Sequence, residues 1–389
     1  LSAVPLPVFS TRVNLSLCAL AAAITMPLAA EQYIMYVGTY TGPKSDGIYA
    51  YKFDDSTGET QPLGLAARTV NPTFLAIHPN GKFLYAANET DRWKDQKGGY
   101  VTSFSIDKAS GKLTELNEQS TVGGGPCHLI TDSSGKQLLV ANYGGGSVAS
   151  LPLNTDGSIG RHSFFSQHTG SSVNKGRQSE PHAHSVNLSP DSRYAFVADL
   201  GTDSIHVYGF SGTKGMTAAI KDLETRIAPG SGPRHFTFSP DGRNAYVINE
   251  LLSTVTAFSY DAKTGRLKEV NTASTLASQA DAKDNSTAEI RIHPNGRFVY
   301  GSNRGHDSIA IFSRDTKTGA LKLVEVTKTG GKIPRNFNFD PSGKYIFVGG
   351  QNSDDIAQFR VDPATGQLTP TGLKLKVGAP VCFRFVSAK

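Results

Sequence analysis

The chain has 389 residues, 40 of them glycine and 20 proline, a share below the roughly 25–30 % that marks disordered low-complexity sequence. With 38 % hydrophobic and 19 % charged residues it reads as a folded globular chain. It is longer than the ~250–300 residues at which one hydrophobic core stops growing, so several domains or a repeat must supply the burial. The net charge of +6 is spread without a Lys/Arg run, which excludes a nucleic-acid stripe or a polybasic membrane patch, and three cysteines exclude a disulfide-dense scaffold.

In chain order, residues 1–30 read as an address. They carry one charge, Arg12, then an apolar run from Leu15 to Met26 and the small-residue end Pro27-Leu28-Ala29-Ala30. A basic start, a short apolar stretch and small residues at the end form the pattern of a secretory signal peptide. The run falls short of the ~20 apolar residues that span a bilayer. The expectation is a leader at 1–30 and a mature domain at 31–389, exported to the periplasm or secreted, with no membrane contact after the leader is removed. Cys127 and Cys382 are expected as free buried thiols.

Two motifs then alternate along the chain. The first, Asp-x-x-(Ser/Thr)-Gly-x-Leu, is clear at Asp107–Leu113, Asp261–Leu267, Asp315–Leu321 and Asp362–Leu368; with its degenerate copies it places glycines at 58, 111, 157, 215, 265, 319 and 366. That is seven units at a period of about fifty residues, the range of propeller and solenoid repeats. The second motif, Ile77-His78-Pro79-Asn80-Gly81-Lys82-Phe83-Leu84-Tyr85, recurs near Ser192, Gly242, Gly296 and Gly343 and more weakly near Gly135. It reads as a hairpin turn between two β-rich runs.

Runs such as Phe298-Val299-Tyr300 are apolar on both faces, as strands are when other sheets cover them above and below. Each unit is therefore a four-stranded meander that must bury both faces, and radial stacking of seven such sheets does so. The predicted fold is all-β, a seven-bladed β-propeller of four-stranded blades. Tyr33–Tyr40 reads as a second strand lacking its first, and Ala379–Phe385 as a first strand lacking its second, so the N- and C-terminal strands are predicted to share one blade and close the ring.

With strands named A to D from the axis outward, the start of A and the end of B meet at one rim. Counting eight residues either side of the turn glycine pairs Thr73 with Glu89, Cys127 with Tyr143, His184 with Leu200, Arg234 with Glu250, Ala288 with Arg304, Arg335 with Gln351, and Val381 with Tyr40. Turn residues repeat because stacking needs them; the copy-specific His, Arg and Glu at this rim are not needed for stacking, which points to a site. Arg234 and Glu250 also suit a structural cross-strand ion pair, and Arg304 and Arg335 could pair with Glu289 or main-chain carbonyls. The long connections Asp91–Gly98, Gly160–Pro181 and Val270–Thr287 open on the same rim, and Trp93 in the first of them is either packing or a lid.

His182-Ala183-His184 puts two imidazoles on one strand, but no set of Asp, Glu or Cys completes a metal site around them. The chain carries no phosphate-cradling Gly-Lys-Ser/Thr loop, no Gly-x-Gly-x-x-Gly and no Gly-x-Ser-x-Gly elbow. Neither metal nor cofactor is expected.

Gly232-Pro233-Arg234-His235-Phe236 with Asn249-Glu250-Leu251, Pro181-His182-Ala183-His184-Ser185, Ser302-Asn303-Arg304 and Pro334-Arg335-Asn336-Phe337 resemble the seven-bladed lactonase family, which includes propeller-type 6-phosphogluconolactonases and is related to fungal carboxy-cis,cis-muconate cyclases. The likeness runs from about Tyr33 to Phe385. In the cyclase group a His, an Arg, a Glu and a second Arg are the proposed active-site residues, and by motif these fall on His184, Arg234, Glu250 and Arg304. The resemblance implies a lactonase, a carboxylic ester hydrolase acting on a small-molecule lactone or cyclic acid. His184, or Glu250 with a raised pKa, would activate water, and Arg234 would stabilise the oxyanion. Arg304 and Arg335 would hold a carboxylate or phosphate, with His128, Tyr143, Gln351 and Glu89 also binding substrate. Two other readings stay open: a muconate-type lactonising cyclase, and a non-enzymatic exported propeller that captures an acidic ligand.

Overall fold

In the computed structural model, residues 1–5 and 31–389 are described; most of the predicted leader, 6–30, lies outside the described residues. Glu31–Lys389 forms one compact unit of seven radial sheets. Six blades are continuous in sequence, with A strands at Pro72–Ile77, Pro126–Thr131, Ala183–Leu188, Pro233–Phe238, Ser286–Ile292 and Pro334–Phe339. The remaining blade has Pro380–Ser387 as strand A beside Gln32–Thr39, Gly47–Asp54 and Thr60–Arg68 as B, C and D. It is called blade 1 and the others 2 to 7. Neighbouring A strands touch all the way round the axis, including Pro380–Ser387 against both Pro72–Ile77 and Pro334–Phe339, so the predicted closure by the two terminal strands is present.

The repeated glycine of the first motif has one job in all seven copies. It ends the C–D turn with positive φ, from 72° at Gly111 to 86° at Gly157, and its bare face rests on the preceding blade. A Cβ added at Gly58 would meet the Tyr345 ring at 2.7 Å, at Gly157 the Phe83 ring at 2.3 Å, and at Gly366 the Phe298 ring at 2.6 Å. The glycine carbonyl is used as well: Tyr300 Oη donates to Gly366 O at 2.6 Å and Gln358 Nε2 to Gly58 O at 2.9 Å. Blade 1 is sealed to blade 7 by Phe53, which meets Tyr345 and Phe347 edge-on at 5.8 and 5.2 Å. Burying a side chain of this size contributes about 1.5–3 kcal/mol.

The inner strands depart from simple hairpins in a way that positions the site. Every A strand carries a β-bulge near its start. Pro72 faces Asn88 but Phe74 faces Ala87; Pro126, Ala183, Pro233, Pro334 and Pro380 begin equivalent slips, and in blade 6 the slip falls between Thr287 and Ile290. The extra residues are Thr73, Cys127, His184, Arg234, Arg335 and Val381, with Ala288 and Glu289 sharing the blade 6 bulge. Bulges re-aim side chains.

The expected pairing at eight residues either side of the turn glycine is therefore corrected. The residue after strand B instead donates its N–H to a carbonyl two residues before the bulge: Glu89 to Asn71 at 3.0 Å, Glu250 to Gly232 at 2.7 Å and Gln351 to Ile333 at 3.1 Å. Asn71, Gly232 and Ile333 all have positive φ and each is followed by proline, so the chain swings sharply into strand A at the rim.

Candidate active site

At this rim, around the axis, lies a cavity of about 290 Å³ whose wall includes His184, Glu250, Arg304, Arg335, Glu89 and Tyr143, six of the residues singled out in the sequence. Cys127, Arg177 and Ser286 complete it. A smaller chamber continues from it and is lined in part by Arg234, His184 and Arg335. All of these side chains come from strand A starts and bulges, strand B ends, or the connections that open on the same rim.

Glu250 is the hub. Its Oε2 accepts from Arg234 Nε at 2.9 Å and lies 2.9 Å from Arg304 Nη2, while Oε1 accepts from Arg177 Nη2 at 2.6 Å. Burial alone would raise its pKa, but Arg304 and Arg234, with Arg177 behind them, hold the carboxyl well below the usual carboxylate range. This corrects the expectation of Glu250 as a general base: a carboxylate tied to three guanidiniums has little affinity for a proton. The arginines are anchored in turn, Arg234 Nη1 on Ala288 O and Arg304 Nη2 on Thr287 O, both at 2.7 Å. Burial pulls the Arg304 pKa down to about 9 against the pull of Glu250. Neither Arg304 nor Arg335 pairs with Glu289, which binds His235 and Arg291 instead.

His184 is 4 % exposed. Burial, reinforced by Arg234 and His235, pulls its pKa well below the ordinary value, so the ring is neutral at pH 7. The Cys127 thiol, itself pushed up by burial, donates to His184 O at 3.4 Å and sits 3.5 Å from His184 Nδ1. The one thiol proton can go to His184 O, to Ala183 O at 3.9 Å or to Nδ1, so the contact fits a ring proton on Nδ1, donated to sulfur, as well as one on Nε2. No protein group among the described residues bonds that nitrogen.

Arg335 is the uncommitted cation. Its guanidinium makes no hydrogen bond or ion pair among the described residues and lies 5.5 Å above the Tyr40 ring. Glu89, close by, is occupied with Tyr40 Oη at 2.8 Å and Thr73 Oγ1 at 2.6 Å. Tyr143 lies edge-on to His184 at 5.1 Å, and its hydroxyl accepts from Arg177 Nη2 at 3.2 Å.

Several expectations are corrected. His128 is adjacent to the bulge rather than on it; it lies below the mouth, packed on Phe74 at 4.2 Å and on His235 at 5.3 Å, and is absent from the cavity wall. Gln351 holds its backbone position, but its side chain is also absent from the wall. Trp93 is packing rather than a lid: its indole N–H donates to Glu118 at 2.9 Å and its ring stacks on Tyr100. Two of the long connections are shorter than read, because Phe164–Gln167 and Arg266–Ser274 are the outer strands of their blades. Arg177, which the sequence reading missed, comes from what remains of the Gly160–Pro181 connection, where no repeat register exists to place it.

His182 and His184 do not converge on a metal position; His182 stacks on Tyr143 at 4.4 Å. The potential ligands that do converge, among the described residues, are His168, Asp199 and His206, outside the cavity wall. His168 Nδ1 is 2.5 Å from Asp199 Oδ2. Asp199 and Asn88 end their B strands and Asn303 stands one residue before the end of its own, and His168 stands where Thr69 and Thr275 bond those asparagines at 2.8 and 2.7 Å. The pair is a variant of a tie between blades.

The chain matches the family model described as lactonase, 7-bladed beta-propeller, over residues 34–385. It is 36 % identical over 356 residues to 6-phosphogluconolactonase of Bacillus subtilis, covering 91 % of this chain and 99 % of that protein. To 6-phosphogluconolactonase of Formosa agariphila it is 38 % identical over 310 residues, 79 % of this chain and 86 % of the relative. The solved structure of the Pseudomonas aeruginosa periplasmic gluconolactonase superposes with a TM-score of 0.85 at 35 % identity, covering 92 % of this chain and 100 % of the other. Blade count, split-blade closure and these matches agree, and the chain belongs to the seven-bladed β-propeller lactonase family.

Proposed function

We propose that this protein hydrolyses a sugar lactone at the cavity mouth by general-base attack of water. The observation that carries the proposal is a buried neutral imidazole whose Nε2 has no hydrogen-bond partner among the described residues, beside the anchored Arg234 and Arg304 and beside Arg335, whose guanidinium has no hydrogen-bond or ion-pair partner among them. The reading places the ring proton on Nδ1, on the Cys127 side. His184 Nε2 takes a proton from water as the water oxygen bonds to the lactone carbonyl carbon. The charge that develops on the carbonyl oxygen is met from beneath by Arg234, which lines the chamber continuing from the mouth and whose Nε and Nη1 are tied to protein acceptors, so that it needs no reorganisation. Collapse of the tetrahedral intermediate breaks the carbon–ring oxygen bond, and the imidazolium returns the proton to the departing alkoxide. The products are the open hydroxy acid and the neutral enzyme.

The relatives named 6-phosphogluconolactonase and gluconolactonase support a gluconolactone as substrate, and Arg335 suits its anionic or hydroxyl end. Purified protein is expected to accelerate hydrolysis of glucono-δ-lactone or its 6-phosphate above the buffer rate. Arg335→Ala is expected to raise KM by about 10-fold or more with a smaller change in kcat, in keeping with ~1.5–3 kcal/mol for a hydrogen bond to a charged group; a larger KM effect on the phosphorylated lactone marks Arg335 as the phosphate contact. Binding of lactone without turnover returns the molecule to the binding-scaffold reading.

We further propose that the protein is exported, supported by the leader pattern of residues 1–30 and by a relative named as periplasmic. The mature protein is expected to begin near Glu31, which N-terminal sequencing of secreted or periplasmic material checks; retention of the leader on cytoplasmic protein overturns it.

A further inference from the structure

Beneath the mouth, the small chamber lined in part by Thr73, Cys127, His184, Arg234, Arg335 and Asn336 has room for the centre of about one water, roughly 10 Å³. It shares Glu89, Cys127, His184 and Arg335 with the mouth cavity, so the two have a common wall. Asn336 is 1 % exposed and follows the bulged Arg335. Its Nδ2 donates to Glu289 Oε2, and because a carboxylate only accepts, the orientation of the amide is fixed. Glu289 is itself immobilised: Oε1 accepts from His235 Nδ1 and from the Ile290 N–H, both at 3.0 Å, and Oε2 from Arg291 Nη2 at 3.3 Å.

The other end of the amide, Oδ1, is a buried acceptor with no partner. A buried carbonyl of this kind costs about 1–3 kcal/mol if left unsatisfied. The described residues supply no donor for it, and Asn336 is one of the residues lining a chamber with room for the centre of about one water.

Resting on the lactone-hydrolysis reading above, we propose that this chamber holds the attacking water and that Asn336 is its positioning residue. One O–H of the water is accepted by Asn336 Oδ1 and the other by His184 Nε2, which leaves an oxygen lone pair directed at a carbonyl carbon seated in the mouth. Two fixed acceptors define the direction of that lone pair, whereas a single imidazole would let the water swing. The Glu289–Asn336 contact thus places a residue from the layer below the mouth in the hydrolytic step, and makes Glu289 a support for the reacting water at one remove.

The test measures kcat, KM and pH profile for wild type, Asn336→Leu and Glu289→Gln, together with a high-resolution crystal structure of the wild type. Asn336→Leu keeps shape and removes the acceptor; kcat is expected to fall about 100-fold, the scale of a misplaced reactant, with KM within about threefold and the acid limb unmoved because His184 is intact. Glu289→Gln can donate as well as accept, frees the amide to turn, and is expected to lower kcat by about 10-fold. The crystal structure is expected to show a water within hydrogen-bond distance of Asn336 Oδ1. A folded Asn336→Leu with kcat within twofold of wild type, a loss confined to KM, or an empty chamber overturns the proposal while leaving lactone hydrolysis standing. If Asn336→Leu does not fold, Glu289→Gln and the crystal structure decide. If the wild type turns over no lactone, the functional reading fails, and density in the chamber still decides the water site.

Discussion

His184→Ala is expected to lower kcat for lactone hydrolysis by about 10²- to 10⁴-fold, the usual contribution of a positioned general base, while KM stays within a few-fold because the arginines that would hold the substrate remain. The pH dependence gives a second reading of the same residue. Burial, then Arg234 and His235, depress its pKa well below the ordinary histidine value, so the base form persists as pH falls. The acid limb of kcat/KM should therefore lie below the ordinary histidine range, and a limb centred near pH 6.5 would assign the proton transfer to another group. Steady-state rates at constant ionic strength, with the buffer rate subtracted at each pH, check both statements.

Glu250→Ala is expected to be the most destabilising single change at the site. It leaves Arg234, 2 % exposed, and the largely buried Arg304 without a counter-charge, and breaking a buried pair in this way costs about 3–5 kcal/mol. Activity should fall with it, since Arg177, Arg234 and Arg304 all lose the group that fixes them. Glu250→Gln keeps the shape and isolates the charge. The folded pKa of Glu250 lies below its unfolded value, so the ionised carboxylate stabilises the fold fully above about pH 5, and this contribution is lost as pH falls toward the folded pKa. The stability gap between wild type and Glu250→Gln should therefore be constant from about pH 8 to 5 and shrink below that. Urea midpoints across that range measure it; a gap that grows on acidification would contradict the ion-pair account.

The repeat was legible because its residues answer to a requirement imposed seven times. Gly58, Gly157 and Gly366 each meet a side chain of the preceding blade, so the same letter recurs wherever the same contact does. The site residues could be listed for the opposite reason, as chemistry that breaks the repeat at one rim. Depth was harder to read. Counting from the turn glycine marks Cys127, which does line the cavity; the chemically more attractive neighbour His128 faces the layer beneath. The bulges were invisible to counting, since an extra residue near the start of strand A alters register without altering composition. Arg177 was out of reach because its connection has no counterpart in other blades, and Asn336 because its role depends on which end of an amide a carboxylate captures.

The inward swing shared by the A strands has a consequence for how such a protein diversifies. The backbone brings the bulge residues of seven A strands to one end of the axis, at or beneath the opening, and here they are threonine, cysteine, histidine, arginine, an alanine–glutamate pair in blade 6, arginine and valine. The glycines that hold the ring together lie on the opposite rim, in a different part of each unit. Selection can therefore exchange one letter of the opening at a time while the joints of the ring stay untouched, so that a single scaffold can be re-addressed from one cyclic ester to another, or to a different reaction, without passing through an unfolded intermediate sequence.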